Sequence, residues 1–102
     1  MMDRAIFEYQ ANFCKAMGNA TRLLILHTLR EGSMNVNELA HKTDLQQPMG
    51  SRLLSILRSM GLVTCERHGK EMVYQITDPK IVEVCDLVRQ VLHDQFNKNL
   101  GI

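Results

Sequence analysis

The chain has 102 residues, of which 45% are hydrophobic and 23% charged. These are ordinary globular proportions that exclude a disordered or low-complexity chain. Twelve basic against eleven acidic side chains leave a formal charge of +1, so the total neither demands nor forbids a polyanionic partner.

The longest apolar run, Leu23-Leu24-Ile25-Leu26, is far short of the roughly 20 residues a spanning helix needs. No basic-then-apolar leader opens the chain, so the expectation is a cytoplasmic protein with no membrane partner. Cys14, Cys65 and Cys85 form no C-x-x-C pair, which supports neither a disulfide framework nor a zinc knuckle. The thiols are expected to be reduced. No internal repeat and no Pro/Gly/Ser-rich linker divides the chain, and residues 1–102 read as one domain.

From Asp3 to Met17, Ile6, Tyr9, Phe13 and Met17 recur at three- and four-residue steps with Phe7 and Cys14 beside them, the spacing of one helix face. Gly18-Asn19 ends this pattern. Asn19 is suited to cap a second helix carrying Leu23, Leu24, Ile25, Leu26 and Leu29, expected to be all core and to stop near Gly32. Asn35 and Glu38 have capping-box spacing and predict a short third helix over about Val36 to Lys42. After a tight connection at Thr43-Asp44-Leu45, a fourth helix is predicted from Gln46 to Met60, with Leu53, Leu54, Ile56 and Leu57 on its apolar face. Two short helices joined in this way make a helix-turn-helix.

The period then changes to two. Val63 and Cys65 alternate with Thr64 and Glu66, then Met72, Tyr74 and Ile76 with Val73 and Gln75, and predict two strands. Between them Arg67-His68-Gly69-Lys70-Glu71 supplies the glycine of a hairpin turn, so the strands form a wing. Asp78-Pro79 starts a last helix through Ile81, Cys85, Val88, Leu92 and Phe96, widened by Val84, Leu87 and Val91. The fold class is thus mainly α with a β-hairpin, a winged helix-turn-helix in the order α-α-α-α-β-β-α. The first and last helices present more apolar surface than so small a domain covers by itself, which predicts a homodimer through those two helices.

Such a scaffold suits duplex DNA, because a helix fits the major groove while a hairpin reaches the flanking backbone. Charge follows the same division, since residues 42–70 carry five basic and two acidic side chains while the rest of the chain is net acidic. Candidate DNA contacts are Lys42, then Gln46, Gln47, Met49, Ser51, Arg52 and Ser55 on the second helix of the pair, then Arg67, His68 and Lys70 on the wing. Amides, hydroxyls and guanidinium groups there match base edges and phosphates. An enzyme is not expected, because no paired carboxylates, nucleophile with a nearby base, or phosphate loop stands out. A winged-helix protein-interaction module without DNA contact is the competing reading.

Residues 15–26 (Lys-Ala-Met-Gly-Asn-Ala-Thr-Arg-Leu-Leu-Ile-Leu), Val36-Asn37-Glu38-Leu39-Ala40, Gln47-Pro48 with Ser51-Arg52-Leu53-Leu54, Leu57-Arg58 before Gly61-Leu62-Val63, and Gly69 with Tyr74 resemble the ArsR/SmtB family of winged-helix repressors. The resemblance covers almost the whole chain. It implies a homodimeric repressor on an inverted-repeat operator, released when an effector is sensed. Gln46, Met49 and Gly50 depart from the family's usual residues, and Gly50 predicts a looser recognition helix or one closer to the DNA backbone.

The resemblance also implies where metals bind in some members. Val36-Asn37-Glu38-Leu39 holds no cysteine, and Glu83, Cys85 and His93 only loosely match the last-helix pattern, so no metal and no cofactor is expected. Cys14 and Cys85 fall on the two helices of the expected dimer interface. They read either as small packing residues or as sensors of oxidants, persulfides or a soft metalloid. The seven methionines read as packing residues.

Overall fold

The computed structural model describes residues 3–100. Five helices, α1 (Arg4–Ala16), α2 (Ala20–Leu29), α3 (Val36–Thr43), α4 (Gln47–Ser59) and α5 (Lys80–Leu100), accompany strands β1 (Met34–Asn35), β2 (Val63–His68) and β3 (Glu71–Ile76). The helix starts are set locally. Asp3 accepts from the Ala5 amide and Asn19 from the Arg22 amide. Asn35 accepts from the Glu38 amide at 2.8 Å while the Glu38 carboxylate accepts from the Asn35 amide, the reciprocal bonds of a capping box. Asp78 accepts from the Lys80 amide at 2.9 Å, so α5 begins just beyond Pro79.

The core lies where α2, α3 and α4 meet the sheet. Ile25, Leu26, Leu39, Leu54, Leu57 and Leu62 are fully enclosed, with Leu29, Met34, Leu53, Val63, Tyr74 and Ile81 around them. Burying each large aliphatic side chain contributes about 1.5–3 kcal/mol. The ends of α1 and α2 are tied by Arg22, whose Nε donates to the Ala16 carbonyl at 2.6 Å and whose Nη2 donates to the Lys15 carbonyl at 3.3 Å. Both carbonyls belong to the last turn of α1, where the Lys15 carbonyl also accepts from the Gly18 amide at 3.1 Å, and a guanidinium suits this end of a helix.

Four expectations are corrected. The sheet has three strands in the order β1-β3-β2, because Met34 and Asn35 pair antiparallel with Tyr74 and Val73 of the wing. The hairpin is also longer than expected, with His68 paired to Glu71. Arg67 and His68 are therefore strand residues, and only Gly69, at φ +66°, and Lys70 form the turn. α2 is not all core, since Leu23 and Leu24 are exposed while Ile25, Leu26 and Leu29 are buried. Gly50 faces inward on α3 rather than outward toward a ligand: a Cβ built there would meet Val36 Cγ1 at 3.9 Å and Ala40 Cβ at 4.0 Å.

The molecule is flat, 48 × 41 × 20 Å, with a radius of gyration of 15.5 Å, where a compact chain of this length has about 13 Å. Its accessible surface is 7591 Å², about 30% above the roughly 5,900 Å² expected for its mass. The excess comes from α1 and α5. Among the described residues Ala16 is the only buried one on α1, and Phe7, Leu87, Val88, Val91 and Phe96 are all more than half exposed.

Away from that face α5 is held to α2 by charge. Asp86 Oδ1 accepts from Arg30 at 2.6 Å and from Arg89 at 2.9 Å. The Arg30 bond, opposed by some desolvation and helped by Arg89, holds the Asp86 carboxyl below its ordinary range. A depressed carboxylate pKa stabilises the fold above the unfolded value of about 3.9 and ceases to do so as pH falls through the folded value. Acid unfolding curves of Asp86→Asn should therefore lack a component that the parent loses only below about pH 4. At Gly50 the contacts a methyl group would make are ordinary ones, so Gly50→Ala should raise stability by about 0.5–1 kcal/mol in denaturant unfolding.

Candidate nucleic-acid interface

α3 and α4 are separated by Asp44, Leu45 and Gln46. Asp44 takes a left-handed conformation at φ +56°, which an Asp tolerates better than most side chains. The chain therefore turns sharply, and the Leu45 amide donates back to the Ala40 carbonyl at 3.0 Å. Leu45 packs partly against the core. Gln46 precedes α4 without a side-chain cap bond, and Pro48 stands within its first turn, where no amide donor is required.

The inner stripe of α4 is Gly50, Leu53, Leu54 and Leu57, all buried. Helical geometry then turns Gln47, Ser51, Arg52 and Ser55 to solvent, and each is exposed. Gln47, Ser51 and Ser55 follow one another at four-residue steps, so they form a single polar row with Arg52 beside it. Gln46 and Met49 are exposed at the start of the same helix. Among the described residues no carboxylate lies within ion-pair distance of Arg52.

The wing residues are also exposed. Lys70 sits in the turn, Arg67 Nε donates to the Gly69 carbonyl at 3.3 Å, and His68 Nε2 lies 3.2 Å from Glu66. The structure thus places Gln47, Met49, Ser51, Arg52 and Ser55 together on α4 with Gln46 just before it, and Arg67, His68 and Lys70 together at the wing end. Lys42 stands apart from both in its bonding. Its Nζ donates to Glu31 at 2.6 Å, an exposed pair that lowers the Glu31 pKa mainly through this hydrogen bond. Glu31 escaped sequence reasoning because it lies 11 residues before Lys42 across the β1 turn. No periodicity signals such a pair.

Cys14 is exposed on α1 and Cys85 is half-buried on α5. Both line one cavity, which also brings Met17 to Cys85. Burial is the main cause that raises the Cys85 thiol above its ordinary pKa. Among the described residues no three His, Cys, Asp or Glu side chains gather as a metal cluster, and no helix is long and apolar enough to cross a membrane.

Residues 19–64 match the family described as bacterial regulatory protein, arsR family. The HTH-type transcriptional regulator NmtR of Mycobacterium tuberculosis is 34% identical over 92 residues, which span 90% of this chain and 74% of that protein. The biofilm growth-associated repressor of Xylella fastidiosa is 31% identical over 85 residues, spanning 83% of this chain and 75% of that one. Among solved structures, the homodimeric winged helix-turn-helix DNA-binding domain of a possible ArsR-family regulator from Mycobacterium bovis superposes with a TM-score of 0.83 at 30% identity, covering 96% of this chain and 93% of that one.

A helix-turn-helix with a polar outer row, followed by a basic-ended hairpin, defines a winged-helix DNA-binding transcriptional regulator. Its sequence relatives and its fold make the chain a member of the ArsR/SmtB family of such regulators. Because Arg52 is exposed and unpaired among the described residues, Arg52→Ala should change thermal stability by no more than about 0.5 kcal/mol. The same variant should weaken duplex binding by about 1–3 kcal/mol, measured by fluorescence anisotropy.

Proposed function

We propose that the chain, with residues 1–102 acting as one winged-helix unit, represses transcription as a homodimer on an inverted-repeat operator. The observation that carries this reading is the pairing of two surfaces on one flat molecule: the polar row of α4 with the wing, and the uncovered apolar face of α1 and α5. A standard stable interface covers about 800 Å² per partner. The excess surface of this protomer is large enough to supply that area and still leave a polar rim. A second copy is the economical cover, because a two-fold axis lets the same patch meet itself. It would also set two α4 helices against successive major grooves, about 34 Å apart.

In this reading Gln47 and Arg52 meet base edges. Gln46, Met49, Ser51 and Ser55 line the groove, while Lys42, Arg67, His68 and Lys70 meet phosphate. Cys14 and Cys85 lie at the dimer-forming end, so an effector acting on them would alter the spacing of the two reading helices. The homodimeric Mycobacterium bovis relative supports the assembly.

Sedimentation should find a dimer at micromolar strength. If about four phosphates per protomer are neutralised, log affinity for the palindrome should fall against log salt with a slope of about −7. A lone protomer that gains nothing from its palindrome would refute the assembly. A flat salt dependence with function surviving Arg52→Ala and Lys70→Ala would favour the protein-interaction reading instead.

A further inference from the structure

The end of α1 and the inner side of α5 bring three sulfur side chains to one place. Cys85 Sγ lies 3.7 Å from Met17 Sδ although 68 residues separate them. Cys14 lies three residues before Met17, the residue that caps the end of α1, and all three line a cavity of about 300 Å³ with Leu23, Val88 and Arg89. The surroundings are almost wholly aliphatic, so the sulfur atoms and the Arg89 guanidinium are the polar or polarisable groups available to an occupant.

The chemistry of this set is selective. Structural zinc takes four nitrogen, sulfur or carboxylate ligands in a tetrahedron, and no such cluster exists among the described residues. A trivalent metalloid is best served by thiolates, and this cavity offers two. A thioether next to two thiols instead matches a soft monovalent cation, which thiolate and thioether ligands select. Charge balances too. Two thiolates and one monovalent cation carry −1, and Arg89 sits on the cavity wall to oppose it.

We propose that Cys14, Met17 and Cys85 bind a soft monovalent d10 cation, Cu(I) or Ag(I), between α1 and α5. Both thiols lose their protons to solvent as the metal–sulfur bonds form. The ligands all come from one protomer, so binding itself does not depend on the dimer. Its regulatory consequence rests on the proposed operator reading, since the cation would draw together the two helices assigned to the two-fold interface.

The purified full chain is titrated anaerobically with Cu(I) held by a competing bathocuproine chelator, in the absence of DNA. One Cu(I) per protomer is expected. Met17→Leu, which keeps the apolar volume, should weaken binding about tenfold, and Cys14→Ser or Cys85→Ser by about a hundredfold. Cys65→Ser should bind as the parent does. Parent-like binding by Met17→Leu would overturn the thioether assignment, and loss of binding in Cys65→Ser would overturn the site.

A second measurement needs no variant. Ag(I) should protect the exposed Cys14 of the unsubstituted protein from N-ethylmaleimide, read by mass spectrometry, and equal labelling with and without Ag(I) would refute the proposal. Neither assay contains operator DNA, so their failure leaves the repressor reading intact, and failure of operator binding leaves the cation titration standing.

Discussion

The face that α4 offers to a duplex depends on how one stripe of that helix is buried. Gly50, Leu53, Leu54 and Leu57 lie against α3 and the core, and the three leucines together outweigh any single surface interaction by several kcal/mol. Once that stripe is seated, helical periodicity leaves Gln47, Ser51, Arg52 and Ser55 no direction but outward. The polar row is therefore positioned by the core beneath it rather than by bonds of its own. Asp44 completes the arrangement, since its left-handed turn sets the angle at which α4 leaves α3.

The elements whose causes are local are legible in the sequence. Caps at Asn19, Asn35 and Asp78, helical spacing in α3 and α4, and two-residue alternation in the wing each act over a few residues. What could not be read depends on segments far apart in the chain. β1 is only two residues long and exists because β3 offers it an edge. The apolar character of Leu23 and Leu24 says that they avoid water, but not which surface would cover them. Gly50 is instructive in the same way, because a helix-disfavouring residue in a recognition helix reads as a feature of the outer face until its contacts with Val36 and Ala40 are seen. Met17 reads as a packing residue in the sequence and meets Cys85 only through the approach of α1 to α5.

The two halves of the molecule are stabilised differently. The reading half is packed around aliphatic side chains and satisfies its helix ends with its own residues. The α1 and α5 half leaves large side chains in water and is joined to the rest by Ala16 and Ile81, which enter the common core, by Arg22 on the carbonyls of α1 and by Arg30 on Asp86 of α5.

The Lys42–Glu31 pair engages one cation of the positive face before any partner arrives. Any phosphate approaching Lys42 finds the ammonium already engaged at 2.6 Å and must displace a carboxylate that is itself more acidic for being there. In the proposed reading, Glu31 competes with phosphate for Lys42. On that reading, random duplex, which offers charge and little else, would gain least from that cation, whereas a site that also satisfies the row on α4 would bear the exchange.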